Sequence, residues 1–151
     1  MIMKICCFGL VLLLVLSAVL PSDAQPETTS QRYQRFKRNH VYGSMTVKQC
    51  TSVISKRGIT EGNTNQCKDV NSFILANDNQ VNAVCTGAGT PQGGDLYMSN
   101  NRFNVITCRL KSGVRHPKCE YRDGDKSHRH IVVGCTNGLP THYAEGVIIG
   151  K

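Results

Sequence analysis

The sequence predicts an α+β fold, with three helices in the N-terminal half packed on an antiparallel β-sheet and three disulfides. Three observations carry this expectation. Apolar residues recur at helical spacing early in the chain and at a spacing of two later on. Turn residues punctuate the later half: Ser112-Gly113, His116-Pro117, Asp123-Gly124, Asn137-Gly138 and Pro140. Six cysteines remain once an apolar leader is set aside.

The leader comes first. Lys4 supplies a positive start, residues 5–20 are apolar, and Pro21 interrupts them. Ser22-Asp23-Ala24 then puts small residues at the −3 and −1 positions of a cut after Ala24, the pattern of a secretory signal peptide. The apolar run falls short of the roughly 20 residues a spanning helix needs. Residues 1–24 are therefore expected to be removed, and residues 25–151 to form one modest domain. Lys4 and Asp23 leave together, so the net charge stays at +8. A small, basic, extracellular domain suits an anionic partner: nucleic acid, heparan-like glycans or a bacterial envelope. Charge alone does not choose among them.

Cys6 and Cys7 leave with the leader. The remaining Cys50, Cys67, Cys85, Cys108, Cys119 and Cys135 are even in number, as three disulfides in a secreted chain require. Their spacing leaves the pairing open. No two of them lie at C-x2-4-C spacing, so a zinc site is not expected, and neither is any other metal.

Each element follows from local pattern. Residues 25–30 are a lead-in, with N-cap candidates from Thr28 to Ser30. Residues 31–41 read as a helix, with Tyr33, Phe36 and His40 on one face and Arg32, Arg35, Lys37 and Arg38 over much of the rest. Residues 46–56 read as a second helix burying Val47, Cys50, Val53 and Ile54, with Gly58 as its stop. Residues 58–66 are a loop and 68–75 a strand. Residues 76–85 read as a third helix, with a cap in Asn77-Asp78-Asn79. Residues 86–95 read as a loop; its glycines make no phosphate-binding fingerprint. Strands are expected at 96–98, 103–110, 119–122, 130–135 and 142–149. His128 and His130 fall at i, i+2 on one side of a strand and, without a third ligand, read as a surface pair.

Cys67-Lys68-Asp69-Val70-Asn71-Ser72-Phe73 is the chemically suggestive stretch. A lysine brought between two imidazoles, here His40 far upstream and His142 far downstream, suits phosphoryl transfer. Three segments together support that arrangement: Phe36-Lys37-Arg38-Asn39-His40, the Cys67 to Phe73 stretch, and Cys135-Thr136-Asn137-Gly138-Leu139-Pro140-Thr141-His142. In this order, and with this order of cysteines, the chain resembles the pancreatic-type ribonuclease (RNase A) superfamily over essentially its mature length. The resemblance is strongest to the angiogenin-like branch with three disulfides.

That resemblance implies a bent antiparallel sheet and the pairs Cys50–Cys108, Cys67–Cys119 and Cys85–Cys135. It implies an endoribonuclease that needs no metal or cofactor and cleaves RNA on the 3′ side of pyrimidines. RNA carries its own nucleophile, the 2′-OH. By resemblance His40 is the base that deprotonates it, His142 the acid that protonates the 5′-oxygen, and Lys68 the cation that stabilises the transition state. An imidazole titrating near about 6.5 can serve in either form, which gives a bell-shaped pH dependence. Asn39 would touch the scissile phosphate, Ser72 would read the pyrimidine, and Asn71 would position its loop. Tyr143 would pack beside the acid, and Arg35 would meet a neighbouring phosphate.

The pattern departs from the family in two places. Ala144 stands where an aspartate orients the catalytic histidine, and Glu145 follows it; in some relatives its equivalent folds back over the pyrimidine site. Weakened catalysis is therefore expected. The 86–95 loop has no cysteine, as in angiogenins, but also lacks their Asn-rich basic cell-binding sequence. Lys56-Arg57-Gly58 resembles part of their basic nuclear-import segment. The expected partners are RNA, anionic cell surfaces and a ribonuclease inhibitor, for a monomer with angiogenic or antibacterial activity. The alternative is a cationic secreted effector with only vestigial ribonuclease activity.

Overall fold

The computed structural model describes residues 25–146. The expected leader, and residues 147–149 of the expected last strand, lie outside the described residues. Helix α1 spans Thr29–His40. Thr28 caps it: its hydroxyl accepts from the Gln31 amide while the Gln31 side chain accepts from the Thr28 amide. Lys37 and Arg38 occupy its last turn, where cations suit the helix dipole. Val41 then turns extended and bridges Ile74, which fastens the end of α1 to the first strand.

A 3-10 turn at Val47–Gln49 leads into α2, Cys50–Arg57, which stops at Gly58 with φ at 64°. Arg57 donates to the carbonyls of Arg38 and Val41 and lies over the Tyr42 ring, so it closes the end of α1 rather than forming a free basic patch. The third expected helix is α3, Asp78–Asn82, capped by Asn77 and continued by a 3-10 turn at Ala83–Cys85.

The strands are β1 (Val70–Ile74), β2 (Gly89–Gly93), β3 (Leu96–Ser99), β4 (Phe103–Ser112), β5 (Glu120–Tyr121), β6 (Asp125–Arg129), β7 (Val132–Thr136) and β8 (Leu139–Tyr143). They pair antiparallel in two four-stranded sheets. In one, β4 joins β1, β5 and β6; the other runs β2-β3-β7-β8.

Four expectations need correction. The loop expected at 86–95 contains β2, whose Gly, Thr, Pro and Gln residues show no alternation; its pairing with β3 makes it a strand. Residues 125–129 form β6 although none of them is apolar, because the strand is mostly exposed and its pairing partner β4 supplies the order. His130 lies beyond β6, so the two histidines do not share a strand: His128 bonds Asn104 and His130 the carbonyl of Ser99. The last strand begins earlier than expected, at Leu139, includes Pro140 and ends at Tyr143, after which the chain turns. Asn137 and Gly138, with φ at 51° and 78°, make the tight turn between β7 and β8.

Strand alternation builds two cores. On the paired strands β1 and β4, Phe73 opposite Ile106 faces the cluster with α2. The next pair, Ile74 opposite Val105, faces the cluster with Phe36, Val81, Val133 and Tyr143. Both clusters are well buried, so β1 is clamped between them. Disulfides Cys50–Cys108, Cys67–Cys119 and Cys85–Cys135 join the elements, and these are the three pairs named above.

Candidate active site

The second core carries the first of the two cleft histidines. His40 ends α1 on its buried face and is only 6% exposed. Its Nδ1 lies 2.8 Å from the Ser72 carbonyl. A carbonyl can only accept, so Nδ1 holds the proton and the Nε2 lone pair is left free. The Tyr143 ring stacks on the imidazole at 5.1 Å and Phe36 lies against it at 5.6 Å. Burial lowers the His40 pKa to about 3, and Lys68 and His142 push in the same direction; the Ser72 carbonyl opposes them.

Lys68 is fixed from both sides. Its neighbour Cys67 is bridged to Cys119 and bonds the Val114 carbonyl, while the Tyr121 hydroxyl donates to the Lys68 carbonyl at 2.6 Å. The ammonium donates to Asn71 Oδ1 at 2.9 Å. Burial draws its pKa down, and Glu145 and Glu61 hold it up. Asn71 is fully buried and its Nδ2 donates to the Asn39 carbonyl at 2.8 Å. One amide thus ties the cation to the last turn of α1.

Ser72 is also fully buried, and its recognition groups are occupied. Glu145 takes the Ser72 amide on Oε1 at 2.9 Å and the Ser72 hydroxyl on Oε2 at 2.7 Å. The same hydroxyl lies 3.1 Å from Thr107 Oγ1. Glu145 Oε1 is 3.8 Å from His40 Nδ1 as well. The turn after β8 therefore folds a carboxylate over the middle of β1.

His142 has a different setting. It lies on β8 and is exposed, and among the described residues its ring has no side-chain hydrogen bond or ion pair. Alternation along β8 turns Tyr143 away from its neighbour His142 and onto His40. The Tyr143 hydroxyl accepts from Arg129 at 2.9 Å, and burial raises its pKa. Ala144 offers no polar side chain; its amide bonds the Val132 carbonyl.

His40, Lys68, His142, Asn39, Arg35 and Tyr143 line one cleft, with Asn71 and Ser72 beneath it. Arg35 is paired with Glu27. Arg32, at the same wall, reaches Thr141 Oγ1 at 3.4 Å. The paired groups Glu27, Arg129 and Thr107 give no sequence signal, because each acquires its role only through a contact distant in sequence. Two imidazoles and an ammonium lining one open cleft can move protons on either side of a phosphodiester while the cation holds its charge.

Comparison with known proteins identifies the family. A family model for pancreatic ribonuclease matches residues 31–144. The chain is 53% identical to ribonuclease-like 3 of Danio rerio over 142 residues, 92% of this chain and 95% of that protein. It is 38% identical to the angiogenin of Papio hamadryas over 151 residues, 97% and 98% of the two chains. An X-ray structure of zebrafish RNase5 superposes with a TM-score of 0.74 at 46% identity, covering 84% of this chain and 99% of the other. With the family model spanning most of the chain and relatives aligned nearly end to end, this protein belongs to the pancreatic ribonuclease family, in its angiogenin-like branch, and is a ribonuclease whose substrate is RNA.

Proposed function

We propose that the protein is a secreted, metal-independent endoribonuclease that cleaves RNA 3′ of pyrimidines by transphosphorylation, and that it is a slow one. Residues 1–24 serve as the secretory leader, and the three disulfides suit an oxidising compartment. The observation that carries the reading is a His40 ring fixed through Nδ1, with Nε2 left free, lining the same cleft as Lys68 and His142. His40 takes the 2′-OH proton as the 2′-oxygen attacks phosphorus. His142 gives a proton to the departing 5′-oxygen, leaving a 2′,3′-cyclic phosphate. Lys68 balances the charge that grows on the phosphoryl oxygens. Hydrolysis of the cyclic product reverses the two histidine roles.

Two features support slow turnover. A base titrating as low as about 3 accepts a proton weakly at neutral pH. Glu145 occupies the Ser72 amide and hydroxyl, the groups a pyrimidine edge would use, so the base site opens only when that carboxylate leaves. Asn39 and Arg35 line the phosphate path, Arg35 once released from Glu27.

The same carboxylate, with the net charge of +8, favours a second reading. In it the chain acts on anionic surfaces, as a bactericidal or angiogenic effector, and cleavage is vestigial. A ribonuclease inhibitor and anionic glycans are the further partners either reading admits. A UpA-type dinucleotide assay separates the two. His40→Ala and His142→Ala are each expected to lower cleavage by about 10² to 10⁴. Wild-type protein with no cleavage above the double variant sinks the enzyme reading, and bacterial killing that survives both substitutions assigns that activity to charge.

A further inference from the structure

His142 must hold its ring in one orientation if it is to deliver a proton, yet no described side chain binds it. A strand register supplies a candidate. Gly134 on β7 stands opposite His142 on β8 and opposite Leu96 on β3. Asp95 directly precedes that strand, and its carbonyl accepts from the Cys135 amide at 2.8 Å, which pins it beside β7. Gly134 has no side chain. The point its Cβ would occupy lies 3.2 Å from His142 Cβ and 3.4 Å from Asp95 Oδ2. The missing side chain thus leaves a narrow gap across β7, with the His142 Cβ on one side and the Asp95 carboxylate on the other.

We propose that Asp95 is the positioning residue for His142. When the ring rotates about its own Cα–Cβ bond across Gly134, one ring N–H donates to the Asp95 carboxylate. The other nitrogen then faces the leaving 5′-oxygen. Asp95 makes no side-chain ion pair or hydrogen bond among the described residues, so it is available for this role, and Ala144 offers no competing oxygen. The inference rests on His142 acting as the general acid.

The test compares leaving groups. Cleavage of a UpA-type dinucleotide needs a proton at the departing oxygen. A uridine 3′-aryl phosphate has a leaving group acidic enough to depart without one. Asp95→Asn is expected to lower kcat on the dinucleotide on the order of tenfold with KM little changed. It should leave the aryl substrate nearly unaffected, and Asp95→Glu should recover part of the loss. Equal losses on both substrates, or a loss confined to KM, would mean a structural or binding role and would overturn the assignment, as would no loss at all. His142→Ala separates the two levels. If it abolishes dinucleotide cleavage while Asp95→Asn does nothing, only the Asp95 assignment falls; if it spares dinucleotide cleavage, the acid reading falls with it.

Discussion

The two imidazoles of the cleft occupy opposite physical situations. His40 is part of a core: it ends a capped helix, stacks on Tyr143, and is tied through Nδ1 to a backbone carbonyl. His142 sits on the surface of a strand with its ring unpartnered among the described residues. The protein therefore fixes the position and the proton affinity of one group and leaves the other to whatever the cleft later holds. Burial gives His40 one tautomer and one direction at the expense of basicity. Exposure leaves His142 free to turn, at the expense of orientation. The slow turnover proposed above would then need no missing catalytic residue, because each histidine falls short in a different way.

The largest effects should come from the cation between them. Lys68→Gln is expected to lower dinucleotide cleavage by about 10² to 10³ while leaving the folded state intact. Asn71→Ala should lower cleavage and also destabilise by about 1–3 kcal/mol, because it strips the Asn39 carbonyl and the ammonium of a buried partner. Urea unfolding together with the rate separates the two. If Asn71→Ala costs stability but not rate, Lys68 does not need the link to α1. A smaller effect, opposite in sign, is expected at the turn after β8. Glu145→Ala frees the Ser72 amide and hydroxyl and should raise kcat/KM on a pyrimidine dinucleotide roughly tenfold, the equivalent of about 1.4 kcal/mol of carboxylate hydrogen bonding. An unchanged or reduced kcat/KM would show that the carboxylate does not guard the base site.

His40 was legible in the sequence because a helix face reports burial through residues close by: Tyr33, Phe36 and His40 share one stripe. The alternating stretches gave β1, β3, β4 and β7 for the same reason. β2 and β6 were not legible, since their residues carry no apolar face and take their order from partners. Glu145 marks the limit more clearly. Its hold on Ser72 joins residues 73 positions apart, and it depends on where β8 stops. A strand continuing through residues 142–149 would have pointed that carboxylate elsewhere. The proximity of Asp95 to His142 likewise depends on the register of three strands and on a glycine in the middle one.

The subtlest difference between the two histidines should appear as acid is added. His40 titrates near about 3 in the fold and near 6.5 when unfolded. Between those values the unfolded chain binds the extra proton and the folded one does not, so stability falls as pH falls. The contribution is whole above about 6.5 and is lost progressively toward about 3, at roughly 1.4 kcal/mol per pH unit. Unfolding free energies of wild type and His40→Gln, measured across that window, should therefore converge as pH drops. Parallel curves would mean that the ring is not held neutral by its burial. The acid limb of kcat/KM reports the same group in the free enzyme, and it should lie well below the midpoint of an ordinary imidazole. If the limb sits near 6.5 while the stability curves converge, substrate or solvent reaches His40 before the fold gives way, and the base is less enclosed in action than at rest.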